Sequence, residues 1–229
     1  MITSWFKVNL LISLFLLSAL GYQGYQIYED WAAQDGKVAY FLKNTEIAQR
    51  RQLKDLPETA IPFYGDSLVH GLAVRRASSL LENFGIGHDH SANLLNRVRE
   101  DLQYRKFSGY AIAIGINDLG RRVDIGGLYN NIVATVDALT FADTVYVHTV
   151  LPLAASRAGA QKINRKVRQI NELLSELPAS HENVVIVDTY GALAAQGSLP
   201  ESFHIGDGLH LNSAANREWA EVLSTEMMR

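Results

Sequence analysis

Short apolar runs alternate with segments of helical pattern from residue 59 to the end of the chain. Runs without polar interruption are typical of strands that are buried on both faces, and strands that alternate with helices predict a parallel sheet covered by helices on both sides. The runs lie at residues 61–64, 110–114, 144–149 and 184–187, and residues 80–84 are expected to turn extended as a further strand. We therefore expect an α/β domain around a parallel five-stranded sheet.

Helices are expected between these runs. Residues 68–81 could form one, and Ser91 could cap another in which apolar residues recur every four positions. The later helices are expected at residues 128–139, 163–177 and 213–228. In the last one, Ala215, Trp219 and Val222 should face inward. In such sheets, ligands bind beyond the carboxyl ends of the strands, so the loops at that edge are where functional residues are expected.

The N-terminal residues suggest a membrane segment. After Lys7, no charged residue occurs from Val8 to Ile27. A helix over residues 5–25 would be roughly 31 Å long at ~1.5 Å per residue, close to the thickness of a bilayer core. Aromatic residues lie at both ends, and the single flanking cation favours an N-terminus on the inside.

Two alternatives remain for this segment. A cleaved secretory signal has a similar charged start and apolar run, with Ala19-Leu20-Gly21 as an imperfect cleavage site, and a buried helix of a soluble fold is also conceivable. Anchor and signal both place the following domain outside the cytoplasm, in the periplasm or the extracellular space. Residues 31–58 predict a polar helix that ends near Pro57, either as a stalk or packed on the domain. The expected organisation is thus an anchor or signal at 1–30, a stalk or linker at 31–58 and a domain at 59–229.

Composition excludes several classes of function. The formal net charge is −3, so the chain lacks the basic surplus of a nucleic-acid-binding protein. The sequence has no cysteine, which excludes disulfides, thiolate metal sites and a cysteine nucleophile.

Ser67 is a candidate nucleophile. It follows the first predicted strand through Gly65, and a glycine there lets the chain turn tightly and present a hydroxyl at a helix start. A serine hydroxyl needs a base to take its proton. The alternative is that Asp66-Ser67 only caps a helix.

His210 is the candidate base, because Asp207 precedes it by three residues with a glycine between. On a turn, this spacing lets the carboxylate reach one imidazole nitrogen while the other faces a serine. The alternative is a helix cap beside a surface histidine. Asn117 follows the third strand, and a side-chain amide there could stabilise an oxyanion by ~3–4 kcal/mol. An ordinary Asn-Asp turn is the alternative for Asn117. Asp118 itself is expected to have a turn or capping role.

Together these residues resemble the SGNH hydrolases, also called the GDSL esterase/lipase family. The resemblance covers about residues 59–229 and rests on Gly65-Asp66-Ser67-Leu68, Gly85-Ile86-Gly87-His88-Asp89, Gly115-Ile116-Asn117-Asp118 and Asp207-Gly208-Leu209-His210. It implies a flavodoxin-like three-layer α/β/α sandwich. It also implies Ser67 as nucleophile, His210 as base and Asp207 as its orienting carboxylate. The oxyanion hole would then combine the Ser67 N–H, the N–H of a glycine in the second string and the Asn117 side chain.

The second string departs from the family pattern, which has the donating glycine directly before the aspartate. Here His88 precedes Asp89, and the glycine stands one place earlier, at Gly87. Either backbone N–H could be the donor, with Gly87 slightly favoured. His88, Asp89 and His90 could also bind a metal together with His204, although we expect neither a metal nor a cofactor. His70 and His148 are expected to be structural.

The resemblance implies a serine esterase that acts on a small acyl ester, such as an O-acetylated envelope carbohydrate, a lysophospholipid or a thioester. An acyltransferase with the same three residues, or a non-catalytic domain that binds a glycan or a partner protein, remains as an alternative. The expected partners are the ester substrate, from envelope glycan or lipid, and a membrane through residues 1–30, with no nucleic acid.

Overall fold

The computed structural model describes residues 23, 36–121 and 123–229. The chain divides into two compact units, residues 1–44 and 45–229. Residues 36–44 of the first unit are helical. The predicted anchor or signal at residues 1–30 lies outside the described residues, apart from residue 23. Within the described part of the chain, no helix combines the length and the apolar character that a membrane crossing requires.

The second unit is built on a parallel five-stranded sheet, as the apolar runs predicted. Its strands are β1 Ile61–Gly65, β2 Leu81–Gly85, β3 Gly109–Ala113, β4 Thr144–His148 and β5 Val184–Val187. They lie in the order β2-β1-β3-β4-β5, and each pair of neighbours is parallel. Gly65 is in register with Gly85 on one side and Ala113 on the other. The carboxyl ends of β1, β2 and β3 therefore reach the same level.

Helices cover the sheet. Residues 45–55 form helix α1, and the other helices are α2 Ser67–His70, α3 Ser91–Asp101, α4 Ile116–Gly120, α5 Ile125–Asp137, α6 Ala160–Ser175, α7 Thr189–Leu193 and α8 Ser213–Met227. α5 contacts both α3 and α6, whereas α8 contacts α7 and a 3-10 turn at Val74–Arg76. β1 and β3 are buried at every residue, as expected of strands with helices on both faces.

α8 is attached to the sheet by aromatic side chains. The Trp219 ring packs edge-on against Phe63 and His148, which stack on each other with ring centroids 4.8 Å apart. Ala215 and Trp219 face the core as predicted, but Leu223 completes the buried stripe and Val222 lies at its margin.

Two helix predictions were wrong in detail. Instead of a helix over 68–81, the structure has α2 and then the 3-10 turn, because the Asn83 side-chain amide donates to the Val69 and Leu72 carbonyls and ends α2. Ser91 is the first residue of α3, not its cap; His90 occupies the N-cap position, and its Nδ1 accepts from the Asn93 N–H.

Residues 45–55 pack on the domain. Leu53 is fully buried in its core, and the Arg50 guanidinium pairs with Asp101 at 3.0 Å and with Glu100 at 2.7 Å on α3. These residues therefore form a helix packed on the domain, as in one of the two alternatives given for residues 31–58.

Candidate active site

Ser67 lies where β1 passes into α2. Asp66 caps the helix, and its Oδ1 accepts a hydrogen bond of 2.9 Å from the Leu68 N–H. Gly65 is required for this tight passage, because a Cβ there would lie 2.3 Å from the Val69 Cγ2 and 2.5 Å from the Ala113 carbonyl oxygen. The short turn holds the half-buried Ser67 at the carboxyl edge of the sheet. Burial of Asp66 raises the pKa of its carboxyl to about 7.

The structure brings Ser67, Asp207 and His210 together, although 143 positions separate Ser67 from His210. The Ser67 Oγ lies 3.0 Å from the His210 Nε2, and the His210 Nδ1 lies 2.5 Å from the Asp207 Oδ2. The other Asp207 oxygen accepts from the backbone N–H groups of Leu209 and His210. Gly206 and Gly208, on either side of Asp207, have φ values of 103° and 73°, which glycine adopts without steric cost.

This arrangement fixes the tautomer of His210. Partial desolvation raises the pKa of the Asp207 carboxyl, but the hydrogen bonds from His210 and from two backbone N–H groups outweigh it and lower the pKa to about 2. The ionised carboxylate accepts the Nδ1–H of His210. The opposite nitrogen, Nε2, is then free to accept the Ser67 proton.

His204 supports the loop that carries Asp207 and His210. It is buried, and its Nδ1 accepts from the N–H groups of Gly206 and Gly208 while its Nε2 donates to Glu201 at 2.9 Å. Arg157 adds a hydrogen bond to the Asp207 carbonyl. The sequence had offered His204 only as a metal ligand. A single histidine without a motif around it carries no signal for this role.

Asn117 lies in α4, at the same edge of the sheet. Its Nδ2 donates to the Asp89 carbonyl at 2.9 Å, which orients the amide and leaves its second N–H available. Asp118 is buried and accepts from the backbone and the hydroxyl of Ser91. This agrees with the capping role predicted for Asp118.

The loop between β2 and α3 completes the edge. His88 has φ = 65°, in the left-handed region that favours glycine, whereas the φ of Gly87 is not positive. Among the described residues, no acceptor pairs with the backbone N–H of Gly87 or His88 or with that of Ser67. The His88 carbonyl accepts from the Arg121 guanidinium at 3.2 Å, which restrains the loop from outside.

Three of the four residues considered as metal ligands, Asp89, His90 and His204, have other partners for their side chains. Asp89 forms a buried ion pair with Arg97 at 2.6 Å, and His204 holds its own loop. In the described ranges, no cluster of three or more histidines and carboxylates could hold a metal ion. His148 lies in the core, where its Nδ1 accepts from the Trp219 indole at 2.9 Å, and burial lowers its pKa to about 3.

Comparison with known families gives one match. The family described as "GDSL-like Lipase/Acylhydrolase family" matches residues 62–218, which include every side chain of the Ser67–His210–Asp207 arrangement. A search of curated proteins finds no match.

Solved structures share the fold. A candidate platelet activating factor from Streptococcus pneumonia superposes with a TM-score of 0.71 and 23% identity, covering 89% of this chain and 97% of that one. An acetylxylan esterase from Geobacillus stearothermophilus has a TM-score of 0.62 and 19% identity, covering 73% and 93%. The lipase/acylhydrolase from Enterococcus faecalis has a TM-score of 0.63 and 20% identity, covering 73% and 94%.

Proposed function

This chain belongs to the GDSL-like lipase/acylhydrolase family, and from that premise we propose that it hydrolyses a small acyl ester through an acyl-enzyme on Ser67. The observation that carries the proposal is the continuous hydrogen-bonded path from the Ser67 hydroxyl through His210 to Asp207. A serine hydroxyl with a base at 3.0 Å, and a base with an ionised orienting partner, is the arrangement that nucleophilic acyl transfer needs.

The reaction has two halves. The Ser67 Oγ attacks the ester carbonyl, and His210 Nε2 takes the hydroxyl proton as the new C–O bond forms. His210 then gives that proton to the departing alkoxide, which leaves as an alcohol. A water molecule attacks the acyl-enzyme as His210 takes its proton; His210 then returns that proton to the Ser67 Oγ as its bond to the acyl carbon breaks, and the carboxylic acid departs. Asp207 keeps its charge throughout and stabilises the imidazolium that forms in each half.

We assign the oxyanion hole to the backbone N–H groups of Ser67 and His88 and to the free N–H of the Asn117 amide. The choice of His88 over Gly87 is supported by its positive φ. The family pattern has a glycine at this position, directly before the aspartate. Glycine adopts a positive φ without steric cost, so the positive φ of His88 is consistent with His88 standing in the place of that glycine. Each such donor contributes about 2.7–4 kcal/mol when it is aimed at the developing charge.

Small or exposed esters suit this site best. The side chains of His210 and Asp207 are 40% and 36% exposed. In the part of the chain that the structure describes, no further domain is inserted at this edge, where the longest connection is the one between α7 and α8 that carries Asp207 and His210 themselves. O-acetyl groups on envelope carbohydrate fit an open site of this kind, and one structural neighbour is an acetylxylan esterase. The proposal also includes lysophospholipids and thioesters, which are larger acyl donors.

For location, we propose that residues 1–30 anchor the domain to a membrane or direct its export, with the hydrolase domain outside the cytoplasm. The uncharged stretch after Lys7 and the aromatic residues at its ends support this part of the proposal.

A fluorophosphonate probe tests the chemistry. Wild-type protein should be labelled and should hydrolyse p-nitrophenyl acetate, whereas Ser67→Ala should lose labelling and retain only a background rate. Ser79→Ala, at an exposed serine, is the matched control and should behave as wild type. Hydrolysis that persists in a folded Ser67→Ala protein would refute the assignment. A series of longer p-nitrophenyl esters then separates acetyl from long-chain preference.

A further inference from the structure

Helix α1 lies outside the segment that matches the family, which begins at residue 62. Its Gln49 is nonetheless 8% exposed and uses both ends of its amide. The Nε2 donates to the Gly85 carbonyl at 3.0 Å, and the Oε1 accepts from the Arg97 Nη1 at 3.2 Å. Gly85 ends β2. Gln49 therefore contacts the point from which residues 86–89, here called the oxyanion loop, depart.

Arg97 connects Gln49 to the oxyanion loop. Its guanidinium pairs with the Asp89 Oδ2 through Nη2 at 2.6 Å and Nε at 3.1 Å, and its Nη1 also donates to the Phe84 carbonyl at 3.2 Å. Both side chains of the pair are almost fully buried, at 4% and 1% exposure. A buried pair of this kind is stable only when its geometry is good and its remaining hydrogen-bonding groups are satisfied. Gln49 satisfies one of them.

Asp89 links this ion pair to the proposed oxyanion hole. Its carbonyl accepts from the Asn117 Nδ2 at 2.9 Å, and its N–H donates to the Ile86 carbonyl, closing the oxyanion loop on itself. A shift of Asp89 would move the His88 N–H, which precedes it, and the Asn117 amide together. These are two of the three donors assigned above.

We propose that Gln49 of helix α1 is a positioning residue for the oxyanion hole, acting through Arg97 and Asp89. This inference rests on the proposed function. α1 is itself fixed from outside, because Arg50 pairs with Asp101, which also accepts from the Tyr64 hydroxyl at 3.0 Å. Without the Gln49 amide, the Gly85 carbonyl and one Arg97 N–H are left buried and unpaired, so the loop relaxes to find other partners.

The test compares Gln49→Met with Gln52→Met. The first keeps the length and volume of the buried side chain and removes both hydrogen bonds; the second makes the same change at an exposed position of α1. In the full chain, Gln49→Met should lower kcat on p-nitrophenyl acetate roughly tenfold, within the ~100-fold that a 1 Å misplacement can cost, with KM little changed. A trifluoromethyl ketone transition-state analogue should bind more weakly by a similar factor. Gln52→Met should match wild type in all three quantities.

A second comparison separates positioning from general loss of structure. In an Asn117→Ala background, Gln49→Met should lower kcat by a smaller factor than in wild type, because one of the two donors it positions is already gone. Full additivity of the two effects, or a wild-type kcat in folded Gln49→Met, would overturn the inference. If Gln49→Met does not fold, Gln49→Glu, which keeps an acceptor for Arg97 but loses the donor to Gly85, supplies the same comparison.

Amide hydrogen exchange gives a readout that does not depend on catalysis. Exchange across residues 86–89 should be faster in Gln49→Met than in Gln52→Met, and equal exchange would contradict the inference even if the protein hydrolyses no ester. If exchange responds as expected while wild type and Ser67→Ala are equally inactive, the proposed function fails and the structural link from Gln49 to the loop stands.

Discussion

Asp66 precedes the proposed nucleophile and is almost fully buried, so its charge is costly. Its pKa of about 7, against an ordinary value of 3.8, means that the folded protein holds a proton between these pH values that the unfolded chain has lost. The free energy of unfolding therefore falls as pH rises from about 4 to about 7, and the contribution is fully present only below that window. The same carboxyl caps α2, whose first residue is Ser67, so the protonation of Asp66 is linked to the position of Ser67.

Asp66→Asn should remove this titration while keeping an oxygen that can accept from the Leu68 N–H. Relative to wild type, we expect the variant to gain roughly 2 to 3 kcal/mol between pH 5 and pH 8, from about 1.36 kcal/mol per pKa unit. Urea denaturation at the two pH values measures this difference. Asp124→Asn, at an exposed N-cap on α5, should show no such change, and an equal gain in both variants would contradict the burial argument.

At the scale of residues, the sequence predicted that Ser67, Asp207 and His210 come together, as they do in the structure, because the motifs that carry them are local. Asp207 and His210 share one turn, and Ser67 follows a strand end. What the sequence could not predict depends on conformation. Whether Gly87 or His88 has the positive φ is decided by how the loop closes between β2 and α3, which spacing does not show. The sequence did not reveal the roles of Gln49 and His204 for a related reason. Gln49 contacts a backbone carbonyl and a guanidinium that are distant in sequence, and His204 accepts from backbone N–H groups of its own loop, so no motif marks either residue.

At the scale of elements, α2 is held against the sheet by a close approach to β2. A Cβ on Gly85 would lie 2.2 Å from the His70 backbone nitrogen and 2.7 Å from its Cα. Backbone atoms cannot move aside as a flexible side chain can, so α2 would have to shift. Because Ser67 begins this helix, its distance to His210 depends on glycine at position 85.

Gly85→Ala should therefore lower both stability and activity. We expect a loss of about 1–3 kcal/mol in the free energy of unfolding, as in other overpacked interiors, and a fall in kcat as Ser67 moves from His210. Gly120→Ala is the control, because a Cβ at Gly120 meets nothing within 4 Å. Urea denaturation measures the free energy of unfolding of both variants, and ester hydrolysis measures their kcat. Equal stability of the two variants would show that the approach of position 85 to the His70 backbone relaxes without cost.

The elements themselves were predictable to different degrees. Four of the strands were found because each is a short, mainly apolar run, as strands of a covered parallel sheet are, whereas β2 carries Glu82 and Asn83 and was expected only as an extended segment. The helix expected over 68–81 failed because its true end depends on the Asn83 side chain, which reaches back from β2 to the Val69 carbonyl. A tertiary contact of this kind overrides a helical pattern in the sequence.

At the scale of the whole molecule, helix α1 belongs to the same compact unit as the hydrolase domain. The sequence predicted a boundary at residue 59, after a polar helix with sparse apolar positions. The compact unit begins at residue 45. α1 reads as polar because it contributes few apolar side chains, but Leu53 is fully buried, and Gln49 and Arg50 make their contacts through polar groups.

We expect residues 45–229 to fold as a cooperative unit and residues 59–229 to be much less stable. Loss of α1 removes the burial of Leu53, which alone contributes about 1.5–3 kcal/mol, and leaves Arg97 without Gln49 and Asp101 without Arg50. Together these losses are a large part of the ~5–15 kcal/mol that stabilises an ordinary domain. Thermal unfolding followed by circular dichroism compares the two fragments. If residues 59–229 unfold at the same temperature as residues 45–229, α1 contributes nothing to the domain and serves as a spacer, since a helix that packs on the core cannot be removed without cost.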